Sequence, residues 1–189
     1  SNRVYVAQSG LIGANGIDNS NGRATFTAPS NQFVMQPNQA ELVVPLTYQK
    51  DGVTVIKSYK FTKGQYPINV SYNITNNGTQ PWQGQKYAQL KRDNSEDPGK
   101  GDKGAISLST YLGGAWGTPE QPYNKLKFGD FNEGLKASSD KGWIGIVQHY
   151  FVTAWIPKNY TANFYSREAG KYHIIGFTSN PVSVAPNKQ

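Results

Sequence analysis

The feature that most constrains this chain is the stretch from residue 142 to residue 157, which carries no charged side chain. It is shorter than the roughly 20 residues that a membrane-spanning helix needs. Read as a strand, it is apolar on both alternating faces: Trp143, Val147, Phe151 and Trp155 lie on one, and Ile144, Ile146, Tyr150, Val152 and Ile156 on the other. Its β-branched and aromatic residues favour a strand over a helix. We therefore expect a buried central strand, or two strands meeting at a bend, that ends at Pro157.

A second pattern alternates apolar and polar residues along three neighbouring segments, 41–48, 53–62 and 66–75. Asp51-Gly52 and Lys63-Gly64 separate these segments, and such pairs are typical of turns between strands. The three segments therefore predict an antiparallel meander. Further short strand candidates follow, with frequent turn signals and without heptads or a long helical pattern. The sequence thus predicts an all-β fold, a sandwich of two antiparallel sheets with little helix.

The length and charge of the chain limit its organisation and its partners. A chain of 189 residues is typical of one domain, and its net charge is +7. The basic residues are scattered, and the densest basic segment, 86–103, also holds four acidic residues. This distribution argues against nucleic acid as a partner, because a nucleic-acid-binding face clusters its basic residues. It is compatible with attraction to an anionic membrane surface.

Few residues in the chain could support catalysis or hold a metal. There is no cysteine, which excludes disulfides and cysteine-based chemistry. Of the two histidines, we expect His149 to be partly buried and His173 to be exposed, and they do not have metal-ligand spacing. The carboxylates nearest the aromatic stretch are Asp130, Glu133 and Asp140, and nothing in the sequence brings them together. No catalytic, cofactor-binding or metal-binding residue is predicted.

The tryptophans leave a second class of function open. Aromatic side chains on a β-sandwich could form a stacking platform for sugars, which would make the chain a carbohydrate- or ligand-binding module. We expect Trp116, Trp143 and Trp155 to belong to the core. Trp82 follows Pro81 in a polar segment, so it is the candidate for an exposed contact with a ligand or partner.

A family resemblance begins in the aromatic stretch. Residues 148–157, QHYFVTAWIP, resemble the QQYFxTAWIP sequence in the large periplasmic domain of the Gram-negative YidC membrane protein insertases, of the YidC/Oxa/Alb family. Further matches occur in the family's order: Tyr5 to Leu11, Gly13, Gly16, Asp18, Asn19, Tyr66, Asn69, Val70, Tyr72, Gln89 to Lys91, Thr118, Pro119, Tyr123, Lys125, Lys127, Phe128, Lys141 to Trp143 and Asn163 to Tyr165. The resemblance covers nearly the whole chain.

The resemblance implies a galactose-mutarotase-like β-supersandwich without catalysis of its own. It implies the periplasmic side of the bacterial inner membrane, in a protein that acts as insertase and chaperone during insertion, folding and assembly of membrane proteins. The implied partners are the Sec translocon accessory proteins (SecDF) and, through the full-length protein, nascent membrane proteins. The motif residues Trp143, Tyr150, Phe151, Trp155, Pro157 and Phe164 are expected to be structural core residues.

The resemblance also bears on domain organisation. We expect residues 1–189 to form one periplasmic β-sandwich domain, and to be a fragment without flanking strands and without the transmembrane segments. The insertion machinery would lie in those segments. The expected role is therefore that of a non-enzymatic interaction scaffold, and a carbohydrate- or ligand-binding sandwich is the alternative.

Overall fold

The computed structural model describes residues 3–19, 22–95, 111–148 and 151–189. Within these ranges the regular elements are thirteen strands and one short 3₁₀ helix, Phe128–Glu133. The strands are β1 Tyr5–Ile12, β2 Glu41–Lys50, β3 Val53–Thr62, β4 Ile68–Asn76, β5 Trp82–Asp93, β6 Gly113–Gly117, β7 Asn124–Leu126, β8 Lys136–Ser139, β9 Trp143–Gln148, β10 Phe151–Trp155, β11 Ala162–Ala169, β12 Tyr172–Ser179 and β13 Val182–Val184. Within the described ranges, no helix has the length and apolar character needed to cross a bilayer.

The chain divides into two compact units, each built from two stretches of sequence. The first comprises Ser1–Leu11 and Gln85–Pro181, and the second comprises Ile12–Gly84 and Val182–Gln189. Strand β5 contributes residues 85–93 to the first unit and residues 82–84 to the second.

The first unit is a β-sandwich. One of its sheets has the strand order β1-β5-β12-β11-β8, and the other has the order β10-β9-β6-β7. The residues between them form the core: Ala88, Leu90, Phe131, Ile144, Ile146, Ala162, Phe164, Ile175 and Phe177. They come from β5, β11 and β12 of one sheet, β9 of the other, and the 3₁₀ helix. The prediction of an all-β sandwich of antiparallel sheets with little helix is confirmed.

The second unit contains the predicted meander. Strand β2 pairs with β3 and β3 pairs with β4, both antiparallel. Lys50 lies opposite Val53, so Asp51 and Gly52 form a two-residue hairpin loop. Both have positive φ angles, 50° and 79°, as the tight hairpin turns that match the strand twist require. Period-two alternation and turn residues were therefore sufficient to predict this element.

The aromatic stretch forms two antiparallel strands, β9 and β10, that pair with each other. Phe151 lies opposite Gln148, Thr153 opposite Ile146, and Trp155 opposite Ile144. Strand β9 lies between β10 and β6, so it is central as expected, but β10 is an end strand of the sheet. Of the two predicted alternatives, the structure shows two strands and not one continuous strand.

Candidate functional site

Strand β10 presents apolar side chains to solvent. Phe151 is 74% exposed and Val152 is 62% exposed, and Ile156, directly after the strand, is 58% exposed. Thr153 and Ala154 between them are also exposed. Since successive side chains point to opposite faces of a strand, both faces of β10 are uncovered. These residues, Phe151 to Ala154 with Ile156, form what we term the β10 surface.

The expectation that Phe151 is a core residue is wrong. Residues directly opposite each other in a ladder share a face, so Phe151 lies on the same face as the buried core residues Ile144 and Ile146. In this antiparallel pair Phe151 lies opposite Gln148, so it shares a face with Gln148 and not with Val147 as a single continuous strand would require. On this face, Ile144 and Ile146 of β9 are buried, whereas Phe151 of β10 is exposed.

Four other motif residues, three aromatic residues and a proline, are more buried than Phe151. Phe164 is 3% exposed and belongs to the core. Trp155 is half-buried and packs against that core, and Pro157 is buried. Trp143 is half-buried, with its ring 6.0 Å from that of Tyr123. The structural role expected for these four residues is compatible with this placement.

Two further predicted residues, His149 and Tyr150, lie outside the described residues. The predictions of partial burial for His149 and of a core position for Tyr150 therefore remain predictions.

Trp82 is buried, with 3% of its surface exposed, so the prediction of an exposed contact there is wrong. Its burial follows from long-range pairing, because Trp82 begins β5 and lies opposite Val184 of β13. The indole ring covers Gly84, where an added Cβ would lie 2.5 Å from the Cη2 atom of Trp82. A ring held in this way cannot act as an exposed stacking platform.

His173 is also buried, and the expectation that it is exposed is wrong. Its ring stacks on Phe128, with 4.5 Å between centroids, and meets Phe131 edge-on. Nε2 contacts Oδ1 of Asn94, and Nδ1 lies 3.5 Å from Oε1 of Glu168. Burial lowers the pKa of His173, an effect that Glu168 opposes and the nearby charge of Arg92 reinforces. The arrangement places His173 among packed side chains, as for a structural residue.

A basic depression of about 590 Å³ adjoins the C-terminal end of the β10 surface. It is lined by Lys141 and Lys158, by Ile156 of the β10 surface, and by Tyr160. Burial raises the pKa of Tyr160 to about 12, so its phenol is neutral at ordinary pH. The two exposed lysines outnumber the one carboxylate in the lining, that of Asp140, so the depression carries a net positive charge.

The carboxylates near the aromatic stretch are not assembled into a metal site. Asp140 lines the basic depression, and Asp130 and Glu133 lie in the 3₁₀ helix. Across the described ranges, no group of three or more His, Cys, Asp or Glu side chains could hold a metal ion.

Comparison with known proteins identifies the family. The sequence model described as "YidC periplasmic domain" matches residues 1–189. The chain belongs to the YidC periplasmic domain family. Its relatives include the membrane protein insertase YidC of Alcanivorax borkumensis, 41% identical over 197 residues, a match covering 100% of this chain and 34% of that protein.

Other YidC insertases give similar matches. That of Hahella chejuensis is 40% identical over 97% of this chain and 33% of its own length. That of Pseudomonas putida strain W619 is 43% identical over 96% of this chain and 33% of its own length. The chain thus spans about a third of the length of the YidC proteins that it matches.

The exposed part of the YidC motif is what sequence reasoning missed. The motif was assigned to the core because aromatic and β-branched residues are usually buried. One sequence signal bears on the alternative: an apolar strand longer than the usual five or six residues invites division into two.

Proposed function

We propose that this chain is a non-catalytic periplasmic interaction domain of an inner-membrane insertase and chaperone. The observation that carries the proposal is the family match over residues 1–189. The exposed apolar β10 surface supports it, because contiguous apolar surface on a folded domain is typical of interaction sites. On this proposal the domain acts from the periplasmic side while other parts of the insertase insert membrane proteins.

The proposed partners follow from the insertase role. The domain contacts the Sec translocon accessory proteins (SecDF), and nascent membrane proteins reach it through the full-length protein. The net charge of +7 favours partners with acidic surfaces and brings the domain towards anionic lipid headgroups. Charge gives attraction over distance, and the apolar β10 surface gives contact area.

The non-catalytic part of the proposal is supported by the placement of His173. A general base needs access to substrate and a pKa near the working pH. His173 instead lies buried between Phe128 and Phe131, with its pKa lowered by burial. Its surroundings favour a packing role.

Photo-cross-linking in native membranes tests the proposal. A photoreactive amino acid would replace exposed residues in both units of the full-length protein, for example Val152 in the first and Tyr66 in the second. We expect cross-links to a Sec accessory protein from at least one position. A matched control places the probe at the buried Phe177, where no partner should be captured.

The partner assignment would be contradicted if no exposed position gave a cross-link to a Sec component. A glycan-binding screen with the purified chain separates the alternative function. Saturable binding of a sugar, together with absence of Sec cross-links, would favour a carbohydrate-binding module.

A further inference from the structure

The outer face of the first sheet, the side turned away from the core, is basic. Successive side chains of a strand point to opposite faces, so the core residue Ile175 places Ile174 of β12 on the outer face. Residues opposite one another in a ladder share a face, and Ile174 lies opposite both Lys91 of β5 and Arg167 of β11. Lys136 of β8 lies on the same face, because its partner on β11 is two residues from Arg167.

Tyr172 brings two lysines together at one end of this face. Its side chain lies two residues before Ile174 and therefore on the same side of β12. The Nζ atom of Lys91 lies 3.8 Å from the centre of the Tyr172 ring, and the Nζ atom of Lys171 lies 5.6 Å from it. The π face of an aromatic ring attracts cations, so the ring holds both ammonium groups. What we term the basic face consists of Lys91, Lys136, Arg167, Lys171 and Tyr172.

One carboxylate lies on the basic face among the described strands of this sheet, that of Asp93, which is opposite Tyr172. Asp93 is 7% exposed, and its side chain accepts hydrogen bonds from the backbone amides of Val4 and Ser95. Its negative charge is therefore directed at backbone N–H groups within the fold. The four cations of the basic face exceed this one carboxylate by three charges.

Neighbouring carboxylates do not cancel this excess. Glu168 belongs to the opposite side of β11, where it accepts a hydrogen bond from Asn132 and lies beside His173. Asp140 follows β8 at the end of the sheet far from Lys171 and lines the basic depression. The sequence from residue 96 to residue 103, after β5, holds three carboxylates and two lysines, a net charge of −1. The excess is still two positive charges when that segment is included.

The basic face does not have the composition of a protein–protein interface. Such interfaces have a desolvated centre of large apolar or aromatic anchors. Here the central apolar residue, Ile174, is 3% exposed and offers no anchor. Val6, which is 40% exposed, belongs to the edge strand β1. Basic residues bind an anionic bilayer surface by charge alone, without an apolar anchor.

The basic face is also a poor surface for other parts of the full-length protein to cover. Lys136, Arg167 and Lys171 are exposed, and Lys91 is half-buried. Cover would remove these charges from water, which is costly unless each one gains a carboxylate partner. Contact with headgroup phosphates has no such cost, because the charges stay at a hydrated surface. The tyrosine suits the same location, since tyrosine is enriched at the level of the headgroups.

We propose that the basic face binds the anionic phospholipid surface of the membrane. Lys91, Arg167 and Lys171 contact headgroup phosphates, with Lys136 at the side of the contact. The second sheet of the sandwich, which carries the β10 surface, then points away from the bilayer. This inference rests on the proposed function, which places the domain beside the inner membrane, and it adds the face that meets the lipid.

Vesicle binding by the full 189-residue chain tests the lipid chemistry. We expect the chain to sediment with vesicles of phosphatidylcholine and phosphatidylglycerol, and to bind vesicles of phosphatidylcholine alone at least about tenfold more weakly. Binding should be lost as salt rises from about 0.1 M to about 1 M, because the screening length falls from about 10 Å to about 3 Å. Equal binding to both kinds of vesicle would overturn the proposal.

A matched pair of double variants tests the face. Arg167→Gln with Lys171→Gln removes two charges from the basic face, and we expect it to weaken vesicle binding by about tenfold or more. Lys141→Gln with Lys158→Gln removes two exposed charges from the basic depression and should have a much smaller effect. Thermal unfolding checks that both proteins are folded. Equal losses would show attraction by net charge and not by this face.

A fluorescent label measures which side of the sandwich meets the lipid. The chain has no cysteine, so Ser138→Cys or Val152→Cys takes a single label. Ser138 is exposed on the outer side of β8, and Val152 is exposed on β10 of the other sheet. Headgroup spin-labelled lipid should quench the label at residue 138 and leave the label at residue 152 largely unquenched. The opposite result would overturn the proposal.

The same labels in the full-length protein, in nanodiscs containing phosphatidylglycerol, show whether the face meets lipid in the complete molecule. Absence of quenching at residue 138 there, or a photo-cross-link from residue 138 to a protein in place of lipid, would overturn the inference. Failure of the lipid tests while Sec cross-links form would remove this face and leave the proposed function intact. Success of the lipid tests without Sec cross-links would support the face and contradict the partner assignment.

Discussion

Phe151 and Phe164 both belong to the residues that match the YidC family but have opposite environments. Phe151 is largely exposed on an end strand, whereas Phe164 is buried in the sandwich core. Presence in the motif is therefore not evidence of a structural role. A side chain that is exposed in the folded chain contributes little to its stability, so an energetic comparison separates the two roles.

We predict that Phe164→Ala lowers the free energy of unfolding by about 3–5 kcal/mol, because it removes a buried ring and leaves a cavity. Phe151→Ala should change it by less than about 0.5 kcal/mol, as is usual for surface substitutions. Urea denaturation of both variants measures the difference. Equal losses of stability would contradict the exposed position of Phe151.

His173 should make stability depend on pH. Burial lowers its pKa below the ordinary 6.5, so the unfolded chain binds a proton in a range where the folded chain does not. Stability is therefore fully present above pH 6.5 and decreases as the pH falls from 6.5 towards the folded pKa. His173→Gln should remove this dependence.

Measurement of the unfolding free energy between pH 5 and 8 checks the prediction. Asp93 also makes stability depend on pH, but at lower pH. Hydrogen bonds from Ser95 and from the Val4 amide lower the pKa of Asp93 from 3.8 to about 2. Its contribution is thus lost only as the pH falls below about 4. Unchanged pH dependence in His173→Gln between pH 5 and 7 would contradict the role given to His173.

Local sequence determines some elements of this fold and not others. The β2–β3–β4 meander follows from period-two alternation and from the Asp51-Gly52 turn, both readable within a few residues. The division of the aromatic stretch into β9 and β10 was predicted only as one of two alternatives, because residues 146–156 contain no Gly, Pro, Asn, Asp or Ser to mark a turn.

Burial of single residues depended on partners distant in sequence. Trp82 is buried beside β13, about 100 residues later in the chain. His173 is buried because Phe128 and Phe131 of the 3₁₀ helix pack against it. Neither contact leaves a local pattern, so both positions were predicted incorrectly. The fold class and the meander could be predicted, and the candidate site could not.

The Asp51-Gly52 turn allows a test at the scale of the element. Gly52 has a φ angle of 79°, and an added Cβ would lie 3.0 Å from backbone atoms of Gly78. Gly64 has a similar φ of 73° with nothing within 4 Å of an added Cβ. We predict that Gly52→Ala destabilises the chain by more than the roughly 1 kcal/mol expected for Gly64→Ala, which introduces backbone strain alone.

Thermal unfolding of these two variants gives the comparison. Gly52 directly precedes β3 and Gly64 follows it, so both variants test turns of the same sheet. A smaller effect at Gly52 than at Gly64 would show that the contact with Gly78 does not restrict the turn.

For the whole molecule, we propose that this domain binds partners and that other parts of the full-length protein carry out insertion. The chain spans about a third of the length of its YidC relatives. The proposed role is therefore accessory, and the domain should be separable from insertion.

The most direct test removes the domain while its link to the membrane-embedded part of the full-length protein is kept. Insertion of a simple membrane-protein substrate and cross-linking to SecDF would be measured in the same cells, with expression matched to the unshortened protein. We predict that insertion continues at a comparable rate while the cross-link contributed by this domain is lost. Complete loss of insertion by a well-expressed shortened protein would contradict the accessory role proposed for the domain.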